Sequence, residues 1–202
     1  TITGGATITG GASIGTGGAP SPSPAPYVFQ GSNFGYTSGG YLPNDTVINV
    51  IDKFAFTSDG NASDVGDLTQ NIFSVAGQSS TTSGYSSGGY TFPAPVTTKN
   101  TIDKFPFASD GNASDVGDLT QARQGVVGQS SDASGYTSGG SNPGKLDTID
   151  KFPFASDGNA TDVGDLTQAR RFGAGQSSTA SGYTSSGQGQ PGVPTFTIDK
   201  FP

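Results

Sequence analysis

A phrase of 23 residues recurs along the chain, and it constrains the fold more than any other feature. Its fullest copy is Thr148–Arg170, TIDKFPFASDGNATDVGDLTQAR. Its Ile-Asp-Lys-Phe opening occurs at Ile51, Ile102, Ile149 and Ile198, so successive copies start 51, 47 and 49 residues apart. Self-similarity with a period of about 20–50 residues is typical of repeat architectures. The sequence therefore predicts about four copies of one unit of about 49 residues, the last copy incomplete.

Two stretches of each unit have the composition of β-strands. In Thr148–Phe154, strand alternation places Asp150 and Phe152 on one face and Ile149 on the other. Gly175–Thr184 consists of small and polar residues around one tyrosine. Such a stretch suits one or two closely packed strands, because large side chains would not fit there.

A turn and a return strand complete the predicted unit. Ser156–Ala160 reads Ser-Asp-Gly-Asn-Ala, and its glycine and asparagine tolerate the positive φ angles of tight turns. The segment that follows, Asp162–Gln168, is predicted to be the return strand. A β-bulge at Gly164 would bring Val163 and Leu166 to the same face of that strand. The unit as a whole is expected to be all-β, with about four short strands, which is the size of a propeller blade.

The copies differ in length mainly between the Gly-Tyr motif and the Ile-Asp-Lys-Phe motif. Insertions collect in loops, so these variable segments are predicted to be the exposed connections of each unit. They are Tyr41–Asn49, Tyr90–Asn100, Ser141–Asp147 and Gln188–Phe196. Any binding specificity is expected to lie there, and the candidate ligand-binding residues are Tyr41, Tyr90, Phe92, Lys99, Lys145 and Phe196.

The first 26 residues differ from the rest of the chain. Residues 1–18 repeat a six-residue pattern of one isoleucine with paired glycines, which predicts a β-fibre stalk or a flexible tail. Residues 19–26 alternate proline strictly, which favours a semi-rigid polyproline II linker. We therefore place the repeat domain at residues 27–202. The stalk and linker would join that domain to a multimeric base, so a homo-oligomer is expected.

Composition excludes several classes of function. The chain has no His and no Cys, so Ser-His-Asp and Cys-His nucleophiles, disulfides and thiolate metal sites are absent. A net charge of −7 disfavours nucleic-acid binding. No apolar run approaches the length of a membrane span. No cofactor is expected.

Calcium and glycans are the ligands that the turn sequence could suggest. Its Asp-x-Asn-x-Ser/Thr pattern resembles the opening of a calcium loop and gives weak candidates in three copies: Asp59, Asn61, Asp110, Asn112, Asp157 and Asn159. An EF-hand needs Gly at its sixth position and Glu at its twelfth, where Asp162 and Gln168 stand here. We therefore favour a turn capped by Asp and Asn side chains and assign no metal. Sequons at Asn44, Asn61, Asn112 and Asn159 are interpreted as consequences of turn composition.

The repeated acids and tyrosines also favour structural roles. In each Asp-Lys pair, such as Asp150 and Lys151, the two side chains point to opposite faces, so we expect ion pairs across strands or units. Glycoside hydrolysis needs two carboxylates at a defined separation in a cleft, and identical acids in every unit do not favour it. The tyrosines of the Gly-Tyr motif are expected to anchor the core, with a sugar-stacking ring as the alternative.

One unit resembles a kelch repeat. It runs through diglycine, variable loop, Ile-x-x-Phe, turn, Asp-Leu and arginine, at Gly139, Gly140, Ile149, Phe152, Asp165, Leu166 and Arg170. The resemblance covers residues 27–202 and implies kelch-like β-propeller blades. Phe152 stands where kelch repeats usually carry tyrosine, and Val163–Asp165 where tryptophan is usual. The first copy has Asn71 near the arginine position, and the last has Ser186 and Gly187 for the diglycine.

The repeated phrase itself is similar to tandem kelch-like repeats of predicted structural proteins of marine bacteriophages. This resemblance implies a non-enzymatic virion component, such as a tail fibre, an appendage or a decoration protein, located on the virion or outside cells. Its expected partners are other virion proteins and, through the variable loops, a host surface or glycan. The alternatives are a secreted filament subunit or surface adhesin and, less favoured, a carbohydrate-active propeller enzyme.

Several architectures remain open at this point. The blades could form a four-bladed ring closed through a terminal strand, part of a larger propeller, or blades completed by another chain. A repetitive β-fibre is the alternative fold. The last copy, Ile198–Pro202, stops within the phrase, and the strand that it predicts has no evident partner in the sequence.

Overall fold

The computed structural model describes residues 33–92 and 97–202, and these residues form an all-β fold of antiparallel sheets. The predicted stalk (residues 1–18), the predicted linker (19–26) and the first residues of the repeat domain (27–32) lie outside the described residues. Within the described ranges, no helix is long and apolar enough to cross a membrane.

Four sheets follow one another along the chain. Sheet 1 contains, in order, β1 (Phe34–Leu42), β2 (Thr46–Ala55) and β3 (Ser63–Asp67). Sheet 2 contains β4 (Ala76–Ser79), β5 (Ser83–Ser87), β8 (Thr101–Pro106) and β9 (Ser114–Asp118), with a separate two-stranded ribbon of β6 (Tyr90–Thr91) and β7 (Thr97–Thr98) between β5 and β8.

The last two sheets follow the same plan. Sheet 3 contains β10 (Val127–Ser130), β11 (Ser134–Ser138), β12 (Thr148–Pro153) and β13 (Thr161–Asp165). Sheet 4 contains β14 (Ala174–Ser177), β15 (Gly182–Ser185) and β16 (Ile198–Phe201). The described residues show successive antiparallel sheets and do not show a closed ring.

The repeated phrase forms the last two strands of a sheet and the turn between them. In sheet 3, Ile149 pairs with Gly164 and Asp150 pairs with Asp162, which leaves Val163 as the extra residue of a β-bulge. The predicted bulge is therefore confirmed. The predicted common face is wrong for this copy, because Leu166 is 3% exposed whereas Val163 is 52% exposed.

The exposure of Val163 has a physical reason. The corresponding valines of the first two copies, Val65 and Val116, pack against core clusters that include residues of the following sheet. For Val116 these residues include Phe152 and Ala160. Within the described residues, the equivalent cluster at Val163 contains Phe201 from the following sheet and no alanine that corresponds to Ala160.

The apolar core lies between successive sheets. One cluster joins Tyr85, Ile102 and Leu119 to Phe152 and Ala160, which belong to the next copy. Equivalent clusters join sheet 1 to sheet 2 and sheet 3 to sheet 4. Burying a side chain of this size contributes roughly 1.5–3 kcal/mol. Each sheet therefore completes the core of the sheet before it, as expected for a repeat protein.

The predicted stretches of small residues form pairs of strands, and the first strands of neighbouring sheets lie close together. The Ser79 amide donates to Ser130 Oγ over 2.9 Å, and the Ser130 amide donates to Ser177 Oγ over 2.9 Å. A Cβ atom built on Gly128 would lie 2.2 Å from the carbonyl oxygen of Gly77. Only a residue without a side chain fits at this crossing.

A buried glutamine reinforces the same contact. The Gln78 side-chain nitrogen, Nε2, donates to Ser87 Oγ in its own sheet, and to the Tyr136 carbonyl and Thr137 Oγ1 in the next sheet, over 2.9–3.0 Å. Gln129 makes the equivalent three bonds one sheet further along, to Ser138, Tyr183 and Thr184. These bonds satisfy buried polar groups and fix the spacing of neighbouring sheets.

Replacing Gly128 with alanine should destabilise the protein by about 1–3 kcal/mol, because the added methyl group would collide with the Gly77 carbonyl. Gly77→Ala is the matched control, since no atom lies within 4 Å of a Cβ built there. Urea denaturation should show a lower midpoint for Gly128→Ala alone. Equal losses in the two variants would contradict the proposed close packing of the first strands.

Candidate functional site

Three of the four aspartates of the Asp-Lys pairs are buried and held by the preceding copy. Asp103, Asp150 and Asp199 are 3%, 0% and 8% exposed. The Thr120 amide donates to Asp150 Oδ2 over 2.9 Å, and its hydroxyl donates to Oδ1 over 2.7 Å. Thr69 makes the same two contacts with Asp103. Hydrogen bonds across units therefore hold these carboxylates in the interior, and the expected ion pairs across units occur at Lys53–Asp110 and Lys104–Asp157.

An arginine completes the site in two of the three junctions. Arg123 is 0% exposed, and a terminal guanidinium nitrogen lies 2.9 Å from Asp150 Oδ2. Its terminal nitrogens also donate to the backbone carbonyls of Thr137 and Thr148. Burial lowers the pKa of Arg123, and the neighbouring Asp150 carboxylate opposes that shift. Arg170 pairs with Asp199 in the same way.

The first junction lacks this arginine. Ile72, not Asn71, occupies the arginine position, because its amide donates to the Ile48 carbonyl as the Arg123 amide donates to that of Lys99. Ile72 is 3% exposed and packs in the apolar cluster of that junction. Burial accordingly raises the pKa of the Asp103 carboxyl, although the two bonds from Thr69 favour the charged form.

The calcium candidates take part in contacts between copies. Asp110 pairs with Lys53 over 2.9 Å, and the Asn112 side-chain oxygen accepts the Asp67 amide over 3.0 Å. Asp157 and Asn159 make the equivalent contacts with Lys104 and Asp118. Asp59 and Asn61 lie in the exposed turn of the first copy. The structure places no group of three or more potential acidic metal ligands together within residues 33–92 and 97–202.

The tyrosines of the Gly-Tyr motif lie in the sheets and contribute to the core. Tyr85 and Tyr136 are 3% and 9% exposed, and Tyr36 packs against the core cluster of the first junction. The Tyr85 ring lies 5.5 Å from that of Phe152 in the next sheet. Burial raises the pKa of Tyr36 above its ordinary value. The predicted anchoring role is confirmed for these three tyrosines.

The described parts of the variable segments lie together at one end of the strands. In sheets 2, 3 and 4 the segment connects the second strand to the third, and in sheet 1 it is the β-hairpin formed by the ends of β1 and β2. We call the surface formed by these connections the loop face. In sheets 2, 3 and 4, the segment that precedes the first strand of a sheet forms a β-bridge with the connection of the same sheet. The bridged pairs are Phe73 with Tyr90, Gln124 with Ser141, and Arg171 with Gln188.

Four aromatic side chains form a cluster on the loop face. Tyr41 lies 5.2 Å from Phe73 and 6.2 Å from Phe92 between ring centroids. Phe73 and Tyr90 meet edge to face at 5.1 Å. Tyr41 is 49% exposed, and its hydroxyl donates to Asp45, which raises the pKa of Tyr41. We call these four residues the aromatic cluster.

The other predicted loop residues lie apart from the aromatic cluster. Lys99 follows β7, and its amide donates to the Gly89 carbonyl. Lys145 forms a bridge with Ser141 in the third connection. Phe196 lies in the fourth connection with 89% of its surface exposed. The structure thus brings together three of the six predicted residues, Tyr41, Tyr90 and Phe92.

Sequence reasoning missed Phe73 and Arg171. Both precede the first strand of the next sheet, at the position where the second copy has Gln124. This position differs in all three copies, and so does the next one, at Ser74, Gly125 and Phe172; variation just before the first strand of a sheet was the signal available in the sequence.

Comparison with known proteins supports the fold alone. No family model matches the chain, and no curated protein matches it. Among similar solved structures is one described as "Structure of YjhT", with 12% identity and a TM-score of 0.63. The match covers 83% of this chain and 65% of that chain, so this chain spans less than two thirds of its length.

The two kinds of junction should respond differently to loss of the carboxylate charge. Asp150→Asn leaves Arg123 buried without a counter-charge and should destabilise the protein by about 3–5 kcal/mol. Asp103→Asn removes a buried charge that faces Ile72 and should leave stability near pH 7 unchanged or higher. Chemical denaturation of both variants measures the contrast, and similar losses would contradict the roles assigned to Arg123 and Ile72.

The pH dependence of Asp103 provides a second test. Its folded-state pKa is raised above the ordinary value of 3.8, so its stabilising contribution is complete below that value and is lost as pH rises through the folded-state pKa. The stability of the wild type relative to Asp103→Asn should therefore fall from pH 3.8 upward. Denaturation across this range should show that fall, and a difference that rises with pH would contradict it.

Proposed function

We propose that this protein is a non-enzymatic structural and binding component of a virion, such as a tail fibre, an appendage or a decoration protein. Its sheets are proposed to be kelch-like propeller blades, and its loop face to bind a glycan on a host surface. The observation that carries the binding role is the aromatic cluster, in which Tyr41, Tyr90 and Phe92 come from the segments that vary between copies. Exposed aromatic rings that lie together are typical of binding surfaces.

The use of the repeated residues supports a structural role for the rest of the chain. Asp103, Asp150 and Asp199 are buried against the preceding sheet, and Asp110 and Asp157 pair with lysines across junctions. Groups held in this way stabilise the stacking of sheets. A hydrolase would instead need carboxylates that converge on a cleft. The loop face is therefore the part of the protein in which specificity can change without loss of the fold.

The phage assignment rests on the similarity of the repeated phrase to marine bacteriophage proteins, and purified particles provide its test. We expect mass spectrometry to find this protein in density-purified virions, and labelled antibodies to decorate them in electron micrographs. Continuous filaments without phage heads would instead favour the secreted filament subunit. Release of reducing ends from glycans by the purified protein would favour the enzyme.

Replacing Tyr41 with alanine should weaken binding to host cells or to an arrayed glycan at least about tenfold, which corresponds to about 1.4 kcal/mol. The reason is the loss of an exposed ring from the aromatic cluster. Phe56→Ala is the matched control, because Phe56 is an aromatic residue of similar exposure, 52%, that follows β2 outside the loop face. The measurement is the dissociation constant of each variant for the same cells or glycan. An equal loss of affinity in Tyr41→Ala and Phe56→Ala would rule out the aromatic cluster as the binding surface.

A further inference from the structure

A groove of about 600 Å³ lies on the loop face beside the aromatic cluster. It joins four parts of the chain: the second connection, the third connection, the segment that leads from sheet 2 to sheet 3, and the segment that leads from sheet 3 to sheet 4. The side chains on which the argument depends are Tyr90, Gln124, Ser141, Asn142 and Arg171. The volume is within the range of about 300–1,000 Å³ that is usual for small-ligand sites.

The charge of this groove is opposite to that of the protein. The chain has 16 acidic and 9 basic residues, yet none of the residues that line the groove is Asp or Glu. Arg171 supplies the one guanidinium of the lining. Within the described residues, no carboxylate forms an ion pair with it, whereas Arg123 and Arg170 are both paired with aspartates. The groove therefore carries an uncompensated positive charge.

The Arg171 side chain is held in place by neutral partners. Its Nε donates to Gln188 Oε1 over 3.0 Å, and a terminal nitrogen lies 3.4 Å from Ser141 Oγ. The guanidinium also lies over the Phe172 ring, 4.8 Å from its centroid. These contacts orient the planar group and leave its charge available. A guanidinium in this state matches the paired oxygens of a carboxylate or a sulfate.

The remaining walls provide the groups that a sugar ring requires. Gln124 and Ser141 exchange two backbone hydrogen bonds of 3.2 and 2.9 Å, which fix this wall of the groove, and the buried Ser141 hydroxyl accepts from Arg171. The Asn142 side-chain Nδ2 donates to the Ala122 carbonyl over 2.8 Å. The Tyr90 ring is held edge to face by Phe73. Amide and hydroxyl groups beside an aromatic ring suit hydroxyl-bearing rings with one apolar face.

We propose that this groove binds an anionic sugar, with a carboxylate or sulfate group on Arg171 and the sugar ring against Tyr90. The proposal rests on the glycan-binding role given above and names the class of glycan. The shared chemistry is a negatively charged substituent on a pyranose ring, and separate probes distinguish its two sources.

Isothermal titration calorimetry on the full chain tests the proposal with three probes: tetragalacturonate, a sulfated galactose tetrasaccharide and neutral galactotetraose. At least one anionic probe should bind at least about tenfold more tightly than the neutral one, since hydrogen bonds to charged groups contribute about 1.5–3 kcal/mol. The tighter of the two anionic probes identifies the charged group. Raising the salt concentration should weaken this binding.

Arg171→Gln should weaken binding of the preferred anionic probe about 10-fold to 100-fold while leaving the thermal melting temperature close to that of the wild type. Lys200→Gln is the matched control, because it removes the same charge from an exposed position on β16. Arg171→Lys keeps the charge without the planar fork and should show an intermediate affinity.

Three outcomes would overturn this inference: neutral galactotetraose binding as tightly as both anionic probes, neither anionic probe binding, or Arg171→Gln binding as tightly as Lys200→Gln. In the first case glycan binding itself would stand and only the anionic class would be wrong. The Tyr41→Ala comparison tests the wider proposal separately, because Tyr41 lies outside the lining of the groove.

Discussion

A buried carboxylate connects each sheet to the sheet before it. Asp150 lies in sheet 3, but its hydrogen-bond donors, Thr120 and Arg123, follow the last strand of sheet 2. A buried charge is tolerated only when its partners are correctly placed, so this contact fixes both the distance and the angle between the two sheets. The apolar cluster of Tyr85, Ile102 and Phe152 lies across the same junction and depends on that placement.

The junction contacts explain why the phrase repeats with so little change. Asp110 and Asn112 are turn residues of one copy, yet their side chains bind Lys53 and the Asp67 amide of the previous copy. A change in either residue would disturb two copies at once. The connections on the loop face differ in length and chemistry, as exposed loops can without loss of the fold. The fold thus separates a repeated scaffold from a variable surface.

The local structure could be predicted from the sequence, because it depends on residues close together in the chain. Turn composition at Ser156–Ala160 and the glycine at Gly164 predict the turn and the bulge. The junction could not be predicted, because Asn112 acts on an amide 45 residues earlier. The period gives the length of the repeated unit, but it does not show which residues of neighbouring units are in contact.

The candidate site could likewise be predicted only in part from the sequence. Length variation correctly indicated where the exposed connections lie, and three of its residues belong to the aromatic cluster. Phe73 and Arg171 lie outside those segments, in the chain that leads to the next sheet. Their contribution depends on bridges to Tyr90 and Gln188, which appear only when the sheets are placed side by side.

The similar turn contacts at the first two junctions have a consequence for assembly. Lys53 and Lys104 each form an ion pair with the aspartate of the next copy's turn, and both turns have the same sequence. Gly66 and Gly117 each lie against the carbonyl of the glycine in that turn. A turn from one molecule therefore fits a junction of another as well as it fits its own. Misassembly between like units is a characteristic failure of repeat proteins. Chains refolding in a crowded solution would exchange sheets with their neighbours, whereas chains that emerge singly during synthesis meet only their own.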